Sequence, residues 1–170
     1  MTKNKSNKLK GETKALFTFP QLNQEIADAV ADYIPSTWFN RKLDQPPLRM
    51  RSTNVIGRFT CDNASCSTRS WSSGIVSIVI KGYEDNGYNA VVYNQRCKSC
   101  KRLGSLTLDE GCYVERVAYW LKKWAGVEME RPVHAIKSTP PHKSDLCEGC
   151  KAGYCRQGRS LEYQMSGLSI

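Results

Sequence analysis

A chain of 170 residues with a net charge of +9 has room for one ordinary core and its tails, and hardly for two. Its longest apolar window, Ile75 to Ile80, is interrupted by Ser77 and far too short to cross a bilayer, so no transmembrane segment is expected. Eight cysteines are many for this length, but no apolar run follows the lysine-rich N-terminus to act as a signal peptide. The expected location is therefore intracellular, cytoplasmic and/or nuclear, where closely spaced thiols serve as metal ligands more often than as disulfides.

Residues 1–16 read as a disordered basic tail: residues 1 to 14 hold five lysines against Glu12, with no apolar periodicity. Residues 17–53 read as an amphipathic helix followed by a proline-containing connection. From Pro20 to Ile34, Leu22, Ile26, Val30 and Ile34 recur every four residues, with Glu25, Asp28 and Asp32 elsewhere on the wheel. That stripe needs a surface to pack on, the domain core in the first place and a partner groove in the second. Pro35, Pro46 and Pro47 mark Pro35 to Thr53 as extended.

A β region follows, with strands expected at Val55 to Thr60, Gly74 to Tyr83 and Tyr88 to Gln95. Asn86-Gly87 between the last two signals a hairpin, because both residue types tolerate positive φ. Asp109 suits a helix cap, and Tyr113, Val117, Leu121 and Trp124 form one stripe of a helix reaching about Ala125. Lys122 and Lys123 complement its C-terminal end and Gly126 stops it. Val127 to Pro141 is irregular, and residues 158–170 read as a mobile tail.

Chemistry concentrates in the cysteines. His142-x4-Cys147-x2-Cys150-x4-Cys155 packs four zinc donors into a short stretch, with Gly149 expected to supply unusual backbone angles in the turn. Cys61-x4-Cys66 precedes the hairpin and Cys97-x2-Cys100 follows it, so antiparallel strands bring the two pairs together as in a zinc ribbon. Two tetrahedral Zn²⁺ sites result, and Cys112 and His134 are left over. Cys112 reads as a small buried apolar residue and His134 as a surface or core imidazole. A swapped pairing of the cysteine pairs stays open.

Catalysis is not expected, since catalytic zinc keeps an open coordination position whereas each ion here would have four protein ligands. The His-x-Glu pattern of zinc deaminases is absent, because His134 is followed by Ala135 and Ile136. Arg96, Lys98, Lys101 and Arg102 form a basic group around one cysteine pair and are candidate nucleic-acid contacts.

Gly57-Arg58-Phe59-Thr60-Cys61, Trp71-Ser72-Ser73, Tyr93-Asn94-Gln95-Arg96-Cys97-Lys98-Ser99-Cys100, and His142 with Cys147-Glu148-Gly149-Cys150 and Cys155 together resemble the 3CxxC-type zinc-binding family. That family includes receptor-transporting proteins, zygote-arrest proteins and many fungal proteins, and the wording here most resembles the fungal branch. The resemblance implies zinc binding and interaction rather than catalysis. Receptor-transporting proteins carry a hydrophobic C-terminal anchor, which the sequence from Tyr163 to Ile170 lacks. Zygote-arrest proteins use the domain to bind RNA.

The reading is thus an α+β protein: a small antiparallel zinc-ribbon-like sheet with a packed helix over residues 54–157, stapled by two structural zinc sites, plus the N-terminal amphipathic helix. The expected function is a non-enzymatic, adaptor- or chaperone-like interaction with an unidentified protein partner. RNA binding through Arg96 to Arg102 is the alternative.

Overall fold

The structure, a computed structural model, describes residues 14–130 and 142–155. The basic tail before Lys14, the run containing His134 and the expected C-terminal tail lie outside the described residues. In chain order come β1 (Leu16–Phe17), a 3-10 turn (Pro20–Leu22) leading into α1 (Asn23–Val30), β2 (Trp38–Phe39), β3 (Arg49–Thr60), β4 (Ser70–Tyr83), β5 (Gly87–Tyr93), β6 (Ser105–Leu108), α2 (Glu110–Trp124) and α3 (Glu148–Lys151). Among the described residues six strands form one sheet in the order β1-β5-β4-β3-β6, with β2 paired parallel to β5 and every other pairing antiparallel.

Side-chain alternation decides what each face does. Val76, Ile78 and Ile80 of β4, Tyr88, Ala90 and Val92 of β5, and Val55 and Phe59 of β3 are buried in one core with Tyr113, Val117 and Leu121 of α2. Leu22, Ile26, Val30 and Ile34 belong to the same core. Burying each such side chain contributes about 1.5–3 kcal/mol, and this is what holds α1, because isolated helices shorter than about 12–15 residues are marginal in water. Asp109 caps α2 by accepting a hydrogen bond from the Cys112 N–H at 3.0 Å, and Gly126 ends the helix at φ 86°.

The opposite face is covered as well. At one end Lys81 Nζ donates to the Leu43 carbonyl at 3.3 Å, and the Tyr83 hydroxyl donates to the Gln45 carbonyl at 3.2 Å. At the other end α3 lies on the sheet, with Gly149 against Ser77 and Tyr93 and with Tyr154 stacked on Tyr93 at 6.0 Å. A strand covered on both faces does not alternate. Val76 to Ile80 are accordingly all buried, including Ser77.

Several sequence expectations are corrected. The sheet is not small: β3 begins at Arg49 instead of Val55, inside the expected connection, and β1, β2 and β6 were not anticipated. The hairpin turn places Asp85 (φ 56°) and Asn86 (φ 59°) in the left-handed region, whereas Gly87 sits at φ −72°. Asp and Asn are the non-glycine residues that adopt this conformation at least cost, and Gly87 serves a different need. The Trp38 indole occupies the place where a Cβ on Gly87 would stand. Gly149 likewise has no positive φ; its missing side chain lets the knuckle lie against Ser77 of β4.

Candidate metal centres

The first centre closes the end of the sheet where three strands meet. Thr60 ends β3 and hands on Cys61, whose N–H donates to the Arg69 carbonyl at 2.9 Å just before β4. The spacer to Cys66 is shaped by Asn63, whose Oδ1 accepts from the Ser65 N–H at 3.2 Å and whose carbonyl accepts from the Cys66 N–H at 3.0 Å. Beyond β5, Cys97 opens a tight knuckle: its N–H donates to the Arg102 carbonyl at 2.8 Å and its carbonyl accepts from the Lys101 N–H at 2.9 Å. Lys101 takes φ 62° to close this turn.

The four sulfurs of Cys61, Cys66, Cys97 and Cys100 lie within 4.8 Å of one another, with Cys61 and Cys100 at 3.5 Å and Cys66 and Cys97 at 3.6 Å. A tetrahedral ion with Zn–S bonds of about 2.3 Å separates its sulfurs by about 3.8 Å, so the donor set has the size and chemistry for zinc. Burial pushes the Cys61 thiol up to about 12. Burial opposes ionisation of Cys97 too, but hydrogen bonds from the Cys100 and Ser99 backbone outweigh it and bring the thiol down to about 6. Crowded thiolates repel one another, and a divalent cation is what lets all four ionise together.

The second centre stands on α3. Cys147 is the cap of this short helix, its sulfur accepting from the Cys150 N–H at 3.4 Å. Gly153 at φ 80° turns the chain back, so that the Tyr154 and Cys155 N–H groups both reach the Gly149 carbonyl, at 2.9 and 3.2 Å. His142 Nε2 lies 3.3 Å from Cys150 Sγ and 3.6 Å from Cys155 Sγ, and with Cys147 the four donor atoms again fall within 4.8 Å of one another. An imidazole nitrogen and a thiolate on one tetrahedral zinc stand about 3.6 Å apart, so this set fits as well. Cys147 is raised by its neighbour Cys155 and then by burial.

Between the centres runs a segment whose role the sequence did not reveal. Asn94, Gln95 and Arg96 continue β5 towards Cys97 and pair with the second knuckle. The Arg96 N–H donates to the Leu146 carbonyl at 2.7 Å, the Glu148 N–H donates to the Asn94 carbonyl at 3.1 Å, and Gln95 bridges Cys147 in antiparallel fashion. The buried side chains are satisfied. Asn94 Nδ2 donates to the Gly104 and Lys14 carbonyls, and Gln95 accepts from Trp71 Nε1 at 3.1 Å while donating to Ser73 Oγ and the Ile75 carbonyl.

Arg96 also forms a 2.7 Å ion pair with Glu148. Burial alone would raise Glu148, but Arg96 and Lys151 hold its carboxyl below the ordinary range. The expected basic group is therefore partly committed elsewhere: Arg96 faces a carboxylate, and Lys101 Nζ donates to the Lys98 carbonyl at 2.8 Å. Cys112 belongs to neither cluster; it lies half-buried against the core on α2, and burial raises its thiol.

A family model described as a zinc-binding domain, the 3CxxC zinc ribbon, matches residues 54–153, more than half of the chain. The chain belongs to this family. Of the eight donors, seven fall inside the matched stretch of the 3CxxC zinc ribbon, and Cys155 lies just beyond it, carried in by the turn at Gly153. No curated protein and no solved structure matches the chain. The protein is a zinc-binding domain whose two clusters fit two zinc ions, and among the described residues no helix is long and apolar enough to cross a membrane.

Proposed function

We propose that this 3CxxC zinc ribbon is a non-catalytic interaction module, intracellular, in which both zinc ions are structural and the partner is a protein. The observation that carries the reading is the donor count: each cluster gathers four protein donors, enough to fill a tetrahedral ion and leave no position for water or substrate. The Cys61–Cys100 set also ties together segments distant in sequence, and the His142–Cys155 set closes a short knuckle that has little core of its own, which is what structural ions do. Cobalt substitution tests the reading. Co²⁺ bound at both sites should give tetrahedral d–d bands unchanged by azide or cyanide, and stripping the metal should unfold the sheet. A band shift on adding azide would reveal an open position and overturn the structural assignment. RNA binding through Arg96, Lys98, Lys101 and Arg102 has less support, since Arg96 is held by Glu148. A steep loss of oligoribonucleotide affinity with rising salt is its signature.

A further inference from the structure

Between the two metal centres lies a cleft of about 540 Å³. It is walled by the stretch from Ser67 into the start of β4, by the Cys97–Cys100 knuckle, and by the chain following His142. A 2.6 Å hydrogen bond between Thr68 and Ser99 joins two of these walls. Its chemistry is one-sided: among the described residues the fourteen that line it include four cations and six serine or threonine hydroxyls but no carboxylate.

Arg96 is spent on Glu148, which leaves Arg69, Lys98 and Lys143, all exposed. Among the described residues no carboxylate pairs with any of the three. They come from segments far apart in sequence, and the folding of the two metal clusters places them around one space. Holding zinc requires none of them, because the eight donors are already supplied.

Three cations and a wall of hydroxyl donors around a concave site suit a compact dianion with several acceptor oxygens. A phosphate monoester carries about −1.5 to −2 charges at pH 7 and three such oxygens. The cleft falls within the roughly 300–1,000 Å³ of ordinary ligand sites, enough for a phosphorylated side chain and its flanking residues. Single-stranded nucleic acid fits less well, since its bases need ring faces to stack on. Among the described residues two rings line the cleft: His142 is committed to the second donor set, and Trp71 is stacked on Phe59 at 5.3 Å and has its N–H bonded to Gln95.

We infer that the cleft between the two metal centres binds a phosphoserine or phosphothreonine side chain of a partner protein, with Arg69, Lys98 and Lys143 meeting the phosphate. The inference rests on the interaction-module reading and names the chemistry of the partner.

The test uses the full zinc-loaded chain and an array of degenerate peptides fixed at a central phosphoserine or phosphothreonine. Unphosphorylated twins and a short oligouridylate serve as rival probes. The phosphorylated peptides should bind and the twins should not, with inorganic phosphate competing. Arg69→Glu and Lys98→Glu should each weaken binding by about tenfold or more at unchanged zinc content. Lys42→Glu, an exposed lysine away from the cleft, should change nothing. Equal binding of the unphosphorylated twins would overturn the phosphate assignment and leave the interaction-module reading standing. Binding of oligouridylate alone, lost in the same variants, would overturn both. Absence of binding to every peptide, or affinity unchanged by both charge reversals, would also overturn the inference.

Discussion

Gly149→Ala isolates the docking of the second knuckle on the sheet. The added Cβ would stand against the Cβ of Ser77, 2.6 Å from its Oγ and 3.4 Å from the Cβ of Tyr93. Ser77 is fully buried in β4, a strand paired on both sides, so the neighbour cannot swing away as an exposed side chain would. Two effects compete. Gly149 has no positive φ, so alanine gains up to about 0.8–1.0 kcal/mol of helix propensity. Forcing a methyl group into a close-packed contact costs about 1–3 kcal/mol, and here the contact is with strand atoms near the backbone. The net expectation is a loss of up to about 2 kcal/mol, seen as a fall in Tm of about 2–8 °C per kcal/mol, and faster zinc release from the His142 site to a colorimetric chelator. Ser77→Gly removes both clashing atoms, so in the double variant the loss should be smaller than the sum of the two single losses. A Tm that rises in Gly149→Ala, or strict additivity of the pair, would refute the packing argument.

Cys112→Ser should leave two zinc ions per chain by elemental analysis; loss of one would make Cys112 a ligand. Arg96→Gln and Glu148→Gln, taken singly and together, should show a coupling of about 1–2 kcal/mol in chemical denaturation, since the 2.7 Å pair is largely shielded on the Glu148 side and about one-third exposed on the Arg96 side. Lys101→Gly should raise stability by about 0.5–1 kcal/mol: the left-handed conformation costs a side-chain-bearing residue about 1–2 kcal/mol, and glycine's extra chain entropy cancels part of the relief. Thermal unfolding of Lys101→Gly beside Lys101→Val, which should be less stable than the parent chain, checks the sign.

What could be read from the sequence follows the range of the physics behind it. Ligand spacings such as Cys97-x2-Cys100 are local, because a few residues of turn decide whether two sulfurs converge, so the cysteine pairs were legible for that reason, whereas the joining of Cys61 and Cys66 to Cys97 and Cys100 in one cluster depends on strand pairing and was left open. The stripe on α2, its Asp109 cap and its Gly126 stop are local signals too. Strand pairs of two residues, such as Leu16–Phe17 on β5, carry no period to detect. The β3 segment from Arg49 to Asn54 lacks the β-branched density of β4 and is a strand because β4 pairs with it. Gly87 and Gly149 were assigned to turn geometry, whereas Trp38 and Ser77 require their lack of a side chain. Close approach between distant segments leaves no trace in either neighbourhood. The commitment of Arg96 to Glu148, 52 residues on, was hidden for the same reason.

The run Asn94-Gln95-Arg96 is hydrogen-bonded at once to the end of the sheet that leads into Cys97 and to the stretch that holds Cys147. Whatever organises one knuckle therefore helps to order the backbone of the other. If the first ion bound fixes this shared run, the second should find it already fixed, and by reciprocity each should raise the affinity of its neighbour. Titrated with scarce metal, such a chain should divide into empty and doubly filled molecules in native mass spectra; a dominant singly filled species would refute the coupling. The cleft between the centres takes its walls from both, so the phosphopeptide binding inferred above should require both ions and rise as a threshold with available zinc.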